Sequence, residues 1–266
     1  MVIEDTTRVK DYLNKTKLTT LDYVINPYVG CPHKCLYCYA SYMTSFSKHT
    51  EQWGDFVDVK HTKKKINIFK IKDKKVMIST VTDPYNFLEE KYQITRMILE
   101  QLVKSEAYIS IVTKSKLVLR DVDILQKMKH VEVAVSVSTL DEELARKLEP
   151  CSSVSERLGT LKELKASGIK TVLFLSPVLP CFTDYKAVIE ATKDYVDEYW
   201  FDKLNLRSSF KTKMFSFIEN EYPEYKNFYN NIYIKKDNTF WNDLSSEIDE
   251  YCKLHNINNK IFFAGT

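Results

Sequence analysis

Between Asp22 and Leu206 the sequence alternates, over and over, between short β-branched or aromatic runs and segments with helical spacing. The runs are "DYVINPY" (Asp22–Tyr28), "KVMIST" (Lys75–Thr80), "AYISIVT" (Ala107–Thr113), "VEVAVSVS" (Val131–Ser138), "KTVLFLSPVL" (Lys170–Leu179) and "EYWFDKLNL" (Glu198–Leu206). Between them lie amphipathic stretches. "YQITRMILEQLVK" puts Ile94, Met97, Ile98 and Leu102 on one helical face, and "SSVSERLGTLKELKAS" opens on a capping serine and stops at Gly168. Near-continuous apolar strands joined by helices predict a parallel sheet covered on both faces. Right-handed crossovers curl such a sheet toward a barrel, and six units predict an incomplete one, an α/β partial (β/α)6 TIM-type barrel. Its functional residues belong at the C-terminal ends of the strands, where the βα loops emerge.

That rule gathers Thr80, Thr82, Asp83, Lys114, Ser136 and Ser138 at one mouth, together with the loop after the first strand. Residues 1–206 are expected to form the barrel domain. The Tyr- and Phe-rich residues 207–266 are expected to form a C-terminal helical extension packed on it. Five glycines, no long low-complexity tract and no internal repeat argue against a solenoid or a linker-joined pair of domains. The N-terminal segment has no apolar stretch behind its charges, and no apolar run approaches the roughly 18 residues of a membrane span, so a cytoplasmic protein is expected. A net charge of +3 does not mark a nucleic-acid binder by itself. The one basic concentration, Val59–Lys75, is read as a solvated edge or hairpin, with a polyanion-facing groove as the alternative.

The loop "NPYVGCPHKCLYCYA" holds Cys31, Cys35 and Cys38, three of six cysteines. In a reducing compartment such clustering points to metal or catalysis before disulfides. Extended, the span from Cys31 to Cys38 would reach roughly 25 Å, so thiolates sharing one centre require the chain to curl, with Gly30 permitting the turn and Pro32 stiffening it. Zinc normally takes four closed ligands, for which His33 is the available fourth. An iron-sulfur cubane held by three thiolates would keep one iron open for another ligand. Cys151, Cys181 and Cys252 stand apart and read as small apolar residues.

"CPHKCLYC" resembles the C-x-x-x-C-x-x-C motif of radical S-adenosylmethionine (radical SAM) enzymes, including the aromatic residue before the third cysteine. "STVTDPYNFLEEKYQITRMIL", "IVTKS", "VSVSTLDEELARKLEP" and "LSPVLP" extend the resemblance to the spore photoproduct lyase-like branch, over most of Tyr23–Leu206. The resemblance implies a 4Fe-4S cluster on Cys31, Cys35 and Cys38, with SAM chelating the fourth iron. It implies reductive cleavage of SAM to methionine and a 5′-deoxyadenosyl radical that takes hydrogen from a substrate. By the same similarity Tyr37 packs near the adenine, and Thr82 and Lys114 contact the methionyl end. Ser136 and Ser138 bind ribose or carboxylate, Arg157 is a further carboxylate candidate, and Tyr39 is the candidate radical relay. A low-potential electron donor such as flavodoxin or ferredoxin is the implied partner.

The chain also departs from that branch. "STVTDPY" replaces the usual Gly-Gly-Glu-like segment, and Thr80 stands where the lyase places its hydrogen-donating cysteine, three residues before the match to Asp83. Three functions therefore remain open: a radical SAM enzyme with an unidentified substrate, a radical enzyme acting on nucleic-acid lesions or bases, and a zinc-stabilised nucleic-acid-binding module.

Overall fold

The computed structural model describes residues 2–206 and 208–263. Its strands are β1 (Ile3–Arg8), β2 (Leu13–Lys15), β3 (Tyr23–Ile25), β4 (Tyr28–Val29), β5 (Phe56–His61), β6 (Lys75–Ile78), β7 (Tyr108–Thr113), β8 (Val131–Ser136), β9 (Lys170–Val178), β10 (Glu198–Lys203) and β11 (Asn259–Ile261). One sheet runs in the order β11-β10-β9-β8-β7-β6-β3-β2. Its pairs from β3 to β11 are parallel, and β2 alone runs antiparallel, against β3. The six expected strands thus lie side by side in chain order. The sheet stays open, with β2 and β11 as its edges, so the architecture is a partial barrel.

Burial on both faces explains the apolar strands: Ile78, Ile111, Val133, Val135, Leu173 and Leu175 are fully buried on one face, and Ala134, Val172 and Trp200 are buried on the other. Each such side chain contributes about 1.5–3 kcal/mol relative to exposure. The crossover helices form where their caps allow. Ser153 and Glu156 make a reciprocal capping box at the start of the helix Val154–Ala166, and Gly168 turns the chain out at φ +75°. Asp141 caps Glu142–Leu148 by accepting the amides of Glu143 and Leu144. The helix Ile94–Leu102 buries Thr95, Ile98, Leu99 and Leu102, so the buried face is turned slightly from the one expected: Ile94 and Met97 sit at its margin.

The expected first strand, Asp22–Tyr28, is two pieces. Asn26 ends β3, because its side chain accepts the amides of Thr80 and Val81, and Pro27 has no amide to continue the ladder. β4 then joins a second sheet, β1-β5-β4, that the sequence did not predict. The basic stretch begins inside β5, which is parallel to β1 and antiparallel to β4, rather than as a free hairpin. In residues 207–266 the helices Ser208–Glu221, Lys226–Tyr233 and Thr239–Leu254 are followed by β11, which adds to the edge of the main sheet beside β10. Among the described residues no helix is long and apolar enough to cross a membrane.

Candidate active site at the cysteine loop

Gly30 starts the cysteine loop with φ +90°, and a Cβ there would lie 2.2 Å from the Phe56 carbonyl oxygen. No other residue fits that turn against β5. Thr82, from the loop after β6, donates its hydroxyl to the Gly30 carbonyl at 2.6 Å. Further along, the Leu36 amide donates to the Leu148 carbonyl at 2.7 Å, and the Cys38 amide to the Cys35 carbonyl at 3.1 Å. The loop is therefore curled as three thiolates sharing one centre require, and it is held from both sides.

All three thiols are free and partly buried. Burial pushes Cys31, Cys35 and Cys38 above the ordinary thiol range. A bound cation would reverse that preference. Cys38 is prepared for the reversal: the amides of Ala40 and Ser41 and the Trp53 indole N–H favour negative charge on its sulfur. Among the described residues the buried Trp53 Nε1 reaches no acceptor with full hydrogen-bond geometry, and the Cys38 sulfur is the group it faces. A buried donor short of such an acceptor costs about 1–3 kcal/mol, and a metal-bound thiolate at Cys38 would relieve it.

The spacing of the donors bears on the metal. Tetrahedral zinc, with Zn–S near 2.3 Å, needs its sulfurs about 3.8 Å apart. Among the described residues, the trio of His, Cys, Asp or Glu donors drawn within 4.8 Å of one another is Asp5, His49 and Asp58, and Lys48 already neutralises Asp5. His33, the proposed fourth zinc ligand, faces Asp83 Oδ2 at 3.5 Å, and burial lowers its pKa against the pull of Asp83, leaving a neutral imidazole.

Behind the loop lies a buried cluster centred on Glu149, which is 2% exposed. Its carboxylate accepts from the Tyr37 hydroxyl and, at 3.0 Å, from Arg157 Nη1, and it stands 3.7 Å from Lys114 Nζ. Arg157 also donates to the Ser136 carbonyl at 2.9 Å, and Lys114 to the Ser176 carbonyl at 3.1 Å. Burial alone would lower the Lys114 pKa, but the attraction of Glu149 leads the effects that hold it up. Burial likewise raises Tyr37, so its phenol stays protonated. Lys114 and Arg157 face Glu149 and the neighbouring Asp83, and Lys114 is the cation that acts on Cys35, suited to an anionic group at the mouth.

These contacts divide the predicted residues. Tyr37, Lys114, Ser136, Ser138 and Arg157 come together, with Ser138 Oγ 3.3 Å from the Tyr37 hydroxyl. Thr82 braces the loop. Tyr39 is 41% exposed, and its hydroxyl donates to the Thr80 carbonyl. Two carboxylates were missed. Glu149 reads in sequence as a charge at a helix end, and Asp83 reads only as a mouth residue, yet Asp83 accepts from Thr113 Oγ1 at 2.7 Å and from the Lys114 amide at 2.8 Å. The isolated cysteines need correction too. Cys252 is buried as expected, Cys181 is exposed, and Cys151 belongs to the Glu149 cluster. The Cys151 thiol donates to the Glu149 carbonyl at 3.3 Å, and burial pushes its pKa up to about 12.

Comparison with known proteins agrees with this geometry. Residues 25–191 match the family model of the Radical SAM superfamily. An uncharacterized protein of Methanocaldococcus jannaschii is 37% identical over 218 residues, covering 82% of this chain and 83% of that protein. An uncharacterized protein of Acidianus two-tailed virus is 30% identical over 171 residues, with 59% and 56% covered, and one of Mycobacterium bovis is 30% identical over 180 residues, with 61% and 51% covered. The match thus spans little more than half the length of the viral and mycobacterial relatives. Among solved structures, a spore photoproduct lyase mutant with bound AdoMet and dinucleoside spore photoproduct superposes with a TM-score of 0.61 at 14% identity, over 84% of this chain and 66% of that one. Streptococcus suis SuiB bound to S-adenosylmethionine gives 0.59 at 18% identity, over 91% and 50%. At such identities the likeness is one of fold.

Proposed function

The chain belongs to the radical SAM superfamily and is an enzyme of that class, and from this premise we propose that it binds one 4Fe-4S cluster through Cys31, Cys35 and Cys38 and cleaves SAM reductively to abstract hydrogen from a substrate. When bound, these cofactors supply the electron and the sulfonium whose cleavage releases methionine and a 5′-deoxyadenosyl radical. The observation that carries the reading is the buried Trp53 N–H facing Cys38, a donor suited to a ligated thiolate. The protein's own share is positioning. Lys114 offers a charge-assisted bond to the SAM carboxylate, Ser136 and Ser138 offer hydroxyls, and Tyr37 presents a ring whose hydroxyl is fixed by Glu149. Thr82 and Arg157 act through others, bracing Gly30 and Glu149. A small low-potential protein such as flavodoxin or ferredoxin is the proposed electron donor.

Anaerobically reconstituted protein with a strong reductant is expected to form methionine and 5′-deoxyadenosine slowly without substrate. Lys114→Ala and Ser136→Ala should keep their iron but bind SAM roughly ten- to hundredfold more weakly, the value of a charged hydrogen bond of about 1.5–3 kcal/mol. Equilibrium SAM binding reads this directly. Unchanged affinity in both variants would remove them from the site.

A second reading, action on nucleic acid, draws on the neighbour bound to dinucleoside spore photoproduct and on the basic stretch. Within it, efficient repair of that lesion is not expected. Returning hydrogen to a thymine-centred radical needs a weak X–H bond such as a thiol's, and the hydroxyl of Thr80 is far stronger. That hydroxyl is also tied to the Asn26 amide at 3.2 Å. Tyr39 is the remaining phenolic relay candidate. Wild type given defined spore-photoproduct DNA under reducing conditions should cleave SAM without repair, with Thr80→Cys assayed beside it. Many repair turnovers by the wild type would refute the assignment.

A further inference from the structure

The basic stretch Val59–Lys75 carries eight lysines and one aspartate and plays no part in the cysteine site. It closes one wall of a cleft of about 490 Å³ lined by Lys10, Asp11, Asn14, Lys60, Lys64 and Lys70. The volume suits a ligand site, but the walls are cationic where small-molecule pockets are mostly apolar. Lys64 is paired with Asp11 at 2.7 Å. Lys10, Lys60 and Lys70 have no carboxylate within ion-pair distance among the described residues, and Lys70 Nζ lies over the Tyr23 ring at 5.4 Å from its centroid. Burial draws the Lys60 ammonium down to about 8, opposed only by Asp58, as befits a half-buried cation short of a counter-ion. Next to Lys70 in sequence, Phe69 stands 87% exposed on the short 3-10 helix Ile68–Ile71.

From these positions we propose that the cleft binds a single-stranded nucleic acid, its phosphates against Lys10, Lys60 and Lys70 and a base stacked on Phe69. Lysines without a carboxylate partner along a groove, with an exposed aromatic ring one residue from Lys70 in sequence, form the combination that tracks a backbone and receives a base without reading sequence. Its placement connects it to the chemistry. The Lys60 amide donates to the Pro27 carbonyl at 3.2 Å, four residues ahead of Cys31, so cleft and cysteine loop grow from the same β3–β4 segment. The inference rests on the radical SAM reading only for the use made of the bound strand.

The test is fluorescence anisotropy on the reconstituted full chain with a short labelled single-stranded DNA and an RNA of equal length, titrated at several salt concentrations. The combined variant Lys10→Gln, Lys60→Gln and Lys70→Gln should lower the slope of log affinity against log salt by about 2, at roughly 0.7 per phosphate contact. Phe69→Ala, at an exposed position where folding is not at stake, should weaken binding roughly five- to hundredfold. Lys193→Gln and Lys253→Gln, at lysines paired with Glu190 and Asp249, should change neither. Absence of binding by the wild type at low salt, or a wild-type slope in the triple variant, would overturn the proposal. So would displacement of the oligonucleotide by inorganic phosphate of equal affinity, which would make the cleft a small-anion site. SAM cleavage is measured on the same samples: strand binding without cleavage defeats the radical reading alone, and cleavage without strand binding defeats the cleft alone.

Discussion

Alanine at Cys31, Cys35 or Cys38 is expected to leave the protein without a stable cluster and with no measurable SAM cleavage, while alanine at Cys151, Cys181 and Cys252 together leaves about four irons per chain in place. The contrast is demanding because Cys151 is not remote. Its thiol sits on the Glu149 carbonyl and, like Lys114, within electrostatic reach of Cys35. What separates it from the triplet is its support. Cys38 has the indole N–H of Trp53 and two amides favouring a negative sulfur, whereas the Cys151 thiol is itself engaged as a donor to the Glu149 and Ser152 carbonyls. Iron and sulfide analysis with absorption spectroscopy decides it. Cluster loss in the Cys151, Cys181 and Cys252 variant would transfer a ligand role to one of those residues.

How much of this was legible follows from how each residue does its work. The parallel strands were readable because both of their faces are buried, which forces continuous apolar runs such as "VEVAVSVS". The second sheet was not. β1, "IEDTTR", is largely exposed and carries polar residues on both faces, and β5 leads straight into a lysine-rich stretch that reads as solvated. The cysteine triplet was legible because ligand spacing is local. Glu149 was not, since its role exists only when the helix Glu142–Leu148 ends against Tyr37, Lys114 and Arg157, which are far apart in sequence. The same distance hid Trp53, whose importance is the Cys38 sulfur it faces. Arg157 was visible as a cation but not as one already held by a carboxylate and two carbonyls.

Glu149→Ala should be among the most destabilising single substitutions in this chain. The side chain is 2% exposed, and its removal leaves Arg157, 1% exposed, without its carboxylate, Lys114 without its nearest counter-charge, and the Tyr37 hydroxyl without its acceptor. Breaking a buried pair from one side costs about 3–5 kcal/mol. At roughly 2–4 °C per kcal/mol for a domain of this size, the melting temperature of the iron-free protein should fall by about 6–20 °C. The cysteines themselves are untouched, so folded variant at low temperature should still take up iron. Its SAM affinity should drop, because Lys114 and Tyr37 lose the group that orients them and because the Leu148 carbonyl, one residue earlier, anchors the Leu36 amide of the cysteine loop. Pairing Glu149→Ala with Arg157→Met removes the more deeply buried of the two uncompensated charges, Lys114 being the other, and should recover part of the lost stability while leaving SAM binding weak. A melting temperature within about 1 °C of wild type for Glu149→Ala would mean that the cluster of charges behind the loop contributes nothing to the fold, and the positioning roles given to Tyr37 and Lys114 would fall with it.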